Sequence, residues 1–161
     1  MLKRTSMFAG ALGVLICAIA PPADAVIQVM SGFGAFRALT SQQQCVVHSG
    51  GGALNQCTGT LGTVIFDIPI PEPATPTIYS ITARSFGSSS SSFQCQAVAL
   101  NPNSATVASE GGLVSFAATS AIDTKSFGVT VPAGWSLRLQ CRNVPRNKGI
   151  LNIRWTPVAD S

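Results

Sequence analysis

After residue 25, apolar and polar residues alternate in short runs with a period of two. In Trp135–Arg142, the residues Trp135, Leu137, Leu139 and Cys141 alternate with Ser136, Arg138, Gln140 and Arg142. Successive strand side chains point to opposite faces, so such a run carries one apolar face and one polar face. Leu151, Ile153 and Trp155 alternate with Asn152 and Arg154 in the same way, and Tyr79, Ile81 and Ala83 with Ser80, Thr82 and Arg84. The VPRNKG segment between the first two runs has turn chemistry, so they are expected to pair as an antiparallel hairpin. Trp135 and Trp155 would then point inward, with Arg138, Arg142 and Arg154 sharing the outer face. The run from Phe127 to Val131, closed by Pro132-Ala133-Gly134, leads into the strand at 135.

Helix signals are nearly absent, and Val, Ile, Thr, Ser and Phe recur between closely spaced turn residues. Strands are expected near 26–30, 43–48, 60–68, 77–84, 92–100, 104–108, 112–117, 126–131, 135–143 and 149–156. The proline-rich 69–77 stretch cannot donate to a ladder and reads as an extended crossing. The serine run 87–92 reads as a flexible connection. About ten short strands in one chain imply an all-β, two-sheet antiparallel sandwich of jelly-roll or Greek-key connectivity, with a closed β-barrel as the alternative.

The first 25 residues have a different character. Lys3 and Arg4 precede an uncharged apolar stretch from Phe8 to Ala20, and small residues stand at Ala23 and Ala25. This is the layout of a cleavable export signal. The apolar stretch is shorter than the roughly 18–20 residues that cross a bilayer, and Pro21-Pro22 ends any helix. Residues 1–25 are therefore expected to be a signal peptide and 26–161 a single domain, secreted or periplasmic, with no membrane span after cleavage. Ile16 before Cys17 is too large for a lipoprotein signal.

Cleavage changes the thiol arithmetic. The chain has five cysteines; Cys17 leaves with the signal, and Cys45, Cys57, Cys95 and Cys141 remain. An even set in an exported chain points to disulfides, and four cysteines allow three connectivities. Pairs 45–57 and 95–141 are preferred, a local clip around a Gly-rich segment and a core bridge between strand-like runs, while sequence leaves the other pairings open. On the chain-entropy account they would contribute about 3 and 4 kcal/mol.

The formal net charge is +4, far from the dense basic field of nucleic-acid binders. The strongest asymmetry is the cluster Arg138, Arg142, Arg146, Lys148 and Arg154. A basic outer face guards a sheet against edge aggregation, and Arg138, Arg142 and Arg154 would also suit an anionic partner, such as an acidic polysaccharide or another exported protein. With both tryptophans turned inward, that face has no aromatics on which single-stranded bases could stack; no nucleic-acid partner is expected.

Other chemistries lack their parts. His48 is the sole histidine and lies in no nucleophile motif; a small secreted hydrolase would need it beside a carboxylate such as Asp67 or Asp123. Glycoside hydrolysis needs two carboxylates about 5–10 Å apart, and the acidic residues are scattered. Cys45, His48 and Cys57 have zinc-like spacing, but a disulfide removes the thiolates, so no metal is expected. Gly32-Phe33-Gly34 lacks the third glycine of a dinucleotide loop, and no cofactor is expected. If Cys45 and Cys57 are joined, residues 46–56 form a clamped loop that could present His48 and Asn55 to a partner, as an inhibitor or effector would.

Several motifs occur in a fixed order: a leader into Cys45, a strand ending in Ile68-Pro69, the Phe93–Val98 strand around Cys95, then WSLRLQC at 135–141 with Asn143-Val144-Pro145 and a closing strand at 150–155. In this layout the chain resembles a group of small exported bacterial proteins with paired cysteines. The resemblance spans most of residues 26–161 and departs at the first motif, where a cysteine beside Ile-Pro would be expected instead of Cys57. It implies export and a β-sandwich, and it implies no activity. The expected function is a non-enzymatic binding or structural β-sandwich.

Overall fold

The computed structural model describes residues 28–158 apart from 38, 40, 41, 43, 102, 104–106 and 120. The expected signal peptide with Cys17, the first residues of the strands expected at 26, 43 and 104, and Asp160 lie outside the described residues. The elements are β1 (Gln28–Ser31), a single helical turn α1 (Gly32–Ala35), β2 (Phe36–Arg37), β3 (Val46–Ser49), β4 (Gly52–Asn55), β5 (Leu61–Ile68), β6 (Thr77–Gly87), β7 (Phe93–Leu100), β8 (Val107–Glu110), β9 (Val114–Phe116), β10 (Ile122–Val131), β11 (Ser136–Val144) and β12 (Lys148–Pro157).

These strands build two antiparallel sheets. The first has the order β10-β6-β12-β4-β3, with β1 continuing beside β12 where β4 stops. The second has the order β2-β5-β11-β7-β8, with β9 on the other end of β7. They remain two sheets and do not close into a barrel. Their inner faces meet in one core that includes Ile81, Phe127, Val131, Ile153 and Trp155 from the first sheet and Phe66, Phe93, Ala97, Leu137 and Leu139 from the second.

The expected terminal hairpin does not form. β11 pairs with β5 and β7, whereas β12 pairs with β6, β4 and β1 on the opposite sheet. Asn143, at φ 56°, and Asn147, at φ 64°, take left-handed conformations that asparagine tolerates, and the turn between them carries the chain across the core. Period-two alternation shows that a strand has a core face; it does not show from which side the strand meets the core. The 69–76 and 132–135 segments likewise carry the chain between sheets. Trp155 is buried, but Trp135 lies just before β11 and is only half-buried.

The preferred cysteine pairs are the ones formed. Cys45–Cys57 brackets the β3–β4 hairpin, with Cα atoms 4.7 Å apart. Cys95–Cys141 joins directly opposed residues of β7 and β11, with Cα atoms 4.0 Å apart. The clamped 46–56 segment is thus a two-stranded ribbon and not an open loop. At its tip Gly50 (φ 57°) and Gly51 (φ 88°) supply the two positive φ values of a two-residue hairpin turn.

Candidate functional site

The outer face of the first sheet concentrates polar side chains on its long central strands. Register places Thr124, Arg84, Asn152 and Ser31 in one row across β10, β6, β12 and β1. The next row is Ser126, Thr82, Arg154 and Val29, followed by Ser80 opposite Thr156. Arg84 and Arg154 are diagonal neighbours on adjacent strands, a spacing of roughly 7–8 Å. Among the described residues, neither guanidinium has a carboxylate partner, and no carboxylate projects from these rows. Two shallow depressions, of about 140 and 200 Å³, lie along them; Arg154 and Thr82 line both, and Arg84 and Asn152 line the first.

One end of this face is apolar. Ile122, Phe86, Gly149, Leu54 and Val47 form a row across all five strands of the main path. The Phe86 ring reaches across β12 to β4: a Cβ on Gly52 would lie 2.5 Å from Phe86 Cε1. Glycine at 52 is what lets the ring lie along the sheet.

The structure divides the arginines grouped from sequence. Arg154 is on the first sheet, whereas Arg138 and Arg142 are on the outside of the second, because β11 and β12 belong to different sheets. Arg138 Nε lies 2.7 Å from Asp67 Oδ1, and Arg37 approaches the same carboxylate at 3.9 Å. Arg142 is exposed. Arg84, which sequence proximity left ungrouped, is the residue the fold sets beside Arg154. Its place on the polar side of the Tyr79–Arg84 alternation was the available signal.

The other candidates do not converge. His48 is exposed on β3, at one edge of the first sheet, and Asp123 is on β10, at the other edge. Four inter-strand spacings of about 4.8 Å put roughly 19 Å between them. Asp67 is outside the opposite sheet and held by two arginines. Neither of the two carboxylates considered for hydrolysis, Asp67 or Asp123, is therefore brought beside His48. Asn55 is not presented to a partner, as a loop contact would be: it is buried, its Nδ2 donates to Gly59 O (3.0 Å) and Val144 O (2.9 Å), and its Oδ1 accepts from Cys57 N–H (2.8 Å). Cys45 and Cys57 are bonded to each other, which leaves zinc no thiolate there. Among the described residues no cluster of His, Cys, Asp or Glu is placed to hold a metal.

Asp123 instead has a structural task. Burial works to raise its pKa, but hydrogen bonds from the Ala117 and Thr124 amides and the Lys125 ammonium together hold it below the ordinary carboxylate value. Lys148, fully buried, has its pKa lowered by desolvation, against the attraction of Asp123. A depressed carboxylate pKa favours the folded state above the unfolded value of about 3.9, and that contribution is lost as pH falls through the folded value. Thermal melts between pH 3 and 7 are expected to show destabilisation below about pH 4, with a shallower fall in Asp123→Asn. Identical pH profiles would refute the assignment.

No protein-family model and no curated protein matches the chain. Solved structures do resemble it. A GH26-CBM35 β-(1,4)-mannanase from Podospora anserina superposes with a TM-score of 0.53 at 20% identity, over 86% of this chain and 29% of that one. The xylan-binding module CBM15 gives 0.53 at 14% identity, over 85% and 99%. The C-terminal CBM6 of a marine laminarinase from Zobellia galactanivorans gives 0.50 at 16% identity, over 81% and 99%. What they share is the β-sandwich. The chain spans under a third of the mannanase and nearly the whole length of the two isolated modules.

Proposed function

We propose that this protein is an exported, non-enzymatic β-sandwich that binds an acidic polysaccharide on the outer face of its first sheet. The observation that carries this reading is the diagonal pair Arg84 and Arg154, set among Thr82, Thr124, Asn152 and Thr156 with no carboxylate beside them among the described residues. Two adjacent cations with no counter-charge favour an anion between them. A guanidinium fork matches a carboxylate or sulfate with two parallel hydrogen bonds. The hydroxyls and the Asn152 amide can bond sugar hydroxyls along the same strands, and a broad, open face accepts an extended chain. Likeness to a xylan-binding module supports a carbohydrate ligand, and two disulfides support an oxidising, extracytoplasmic compartment.

Affinity electrophoresis and calorimetry against polygalacturonate, heparin and neutral dextran test the reading. Binding to at least one acidic polymer is expected, and it should weaken with added salt as Coulomb attraction is screened. Replacing both Arg84 and Arg154 with Ser should reduce affinity at least about tenfold, in keeping with two lost charge-assisted hydrogen bonds. Arg142→Ser, on the opposite sheet, should have little effect. Equal affinity for dextran, or retention in the double variant, would overturn the reading.

A further inference from the structure

A second surface lies at one end of the sandwich, where the 69–76 crossing and the 132–135 turn meet. Together with the ends of β5 and β11 they enclose a depression of about 290 Å³. Its apolar walls include Pro69, Ile70 and the half-buried indole of Trp135; its polar groups are the exposed carboxylate of Glu72 and the hydroxyl of Ser136. The walls are fixed before any ligand arrives. Gly134 N–H donates to Pro73 O (2.9 Å), Trp135 N–H to Pro132 O (3.2 Å) and Ile70 N–H to Ile68 O (2.9 Å). Prolines at 69, 71, 73 and 76 hold their own φ angles, and Gly134 takes the left-handed φ of 75° that brings the turn onto Pro73. Pre-set walls lower the ordering cost of binding.

We infer that this depression is a separate binding site for one neutral sugar ring. A pyranose has a face of C–H groups and a rim of hydroxyls. Trp135, Ile70 and Pro69 match the first, and Glu72, a pure acceptor when ionised, matches the second. Ser136 Oγ donates to Leu100 O (3.3 Å) and keeps acceptor capacity for another hydroxyl. The Glu72 charge repels uronates and sulfates, so the ligand differs in class from the one proposed for the Arg84–Arg154 face. A quaternary ammonium ion fits less well: recognition of such ions uses cages of aromatic rings, and here Trp135 is the one aromatic wall beside aliphatic ones. The site does not depend on the arginine face, and either can fail without the other.

Neutral gluco-, manno- and xylo-oligosaccharides titrated into the protein provide the test, followed by tryptophan emission and calorimetry. Trp155 is buried but borders the depression on the arginine face, so an emission change is assigned to Trp135 where it persists in the Arg84→Ser/Arg154→Ser double variant and is lost in Trp135→Phe. A saturable blue shift is expected with at least one of the three sugars. Trp135→Ala should weaken calorimetric binding at least about tenfold, as loss of a central aromatic contact does. Trp135→Phe keeps a ring should the alanine variant not fold, and should bind more weakly than the wild type. Glu72→Gln should cost about tenfold, the scale of a charged hydrogen bond. The Arg84→Ser/Arg154→Ser double variant should bind these sugars as the wild type does. The inference is overturned by absence of a saturable change with all three sugars up to about 10 mM, weaker than any useful site. Undiminished binding in both Trp135 variants, or saturation by tetramethylammonium in place of the sugars, would also overturn it.

Discussion

Replacing Cys95 and Cys141 together with alanine is expected to lower stability by about 4 kcal/mol. The two residues are fully buried in the centre of the second sheet and closed by a bond across 46 positions of sequence. Most of the effect acts through the unfolded chain, which regains the freedom that the covalent loop denied it. For a domain of this size each kcal/mol moves the midpoint by about 3–5 °C, so the melting temperature should fall by about 12–20 °C. Alanine is the right replacement, since serine would add two buried hydroxyls. Thermal or urea unfolding under non-reducing conditions measures the difference. A loss below about 1 kcal/mol would show that the uncrosslinked chain already holds these strands together when unfolded.

Phe116→Ala should destabilise by about 3–5 kcal/mol, the range for deleting a buried phenyl ring. Phe116 is fully buried on β9, stacked on Phe93 of β7 with centroids 4.8 Å apart, and 6.4 Å from Phe127 of the facing sheet. It links the sheets at a point where β9 is three residues long and, among the described residues, pairs in a ladder only with Phe93–Cys95. Loss of the ring leaves a void between the sheets and removes the main attachment of β9. Phe116→Leu, which keeps much of the volume, should lose less than half as much. Urea midpoints give the totals. Hydrogen exchange confined to residues 114–116 would show whether β9 detaches before the rest; a loss under about 1 kcal/mol for Phe116→Ala would mean that the core closes over the gap.

Much of the fold could be read in the chain because alternation is a local property. The strands at 61–68, 77–87, 93–100, 136–144 and 148–157 largely follow runs in which every second residue is apolar, whereas in the strand at 122–131 only the part from Phe127 does, and its Asp123-Thr124-Lys125-Ser126 start carried no such signal. β4 was hidden, since Gly52-Ala53-Leu54-Asn55 has no alternating apolar set. The Gly50-Gly51 pair, whose glycines favour a two-residue hairpin, was the signal that a second strand follows. What could not be read was partnership. Arg138 and Arg154 sit in similar alternating runs with a short turn between them, and nothing in either run states that the turn crosses the core. That ambiguity displaced the candidate face. It grouped Arg154 with Arg138, which the fold pairs with Asp67, and omitted Arg84, distant in sequence and adjacent across a ladder. Trp135 escaped for a smaller reason: its alternation is right, but it lies just outside the strand and faces the rim.

The repeated crossing between sheets also bears on how the protein reaches its native state. Apart from β3–β4 and the short β7–β8 pair, neighbouring strands come from distant parts of the chain: β1 and β6 beside β12, β5 beside β11, β7 beside β11. Loop-closure entropy must be met before such ladders repay it, which places the protein among slow, high-contact-order folders. The two cysteine pairs then mature on different schedules. Cys45 and Cys57 flank a ribbon that closes locally and can oxidise early. Cys95 and Cys141 meet only when the second sheet has assembled around them, so their bond records the completion of folding and does not guide it.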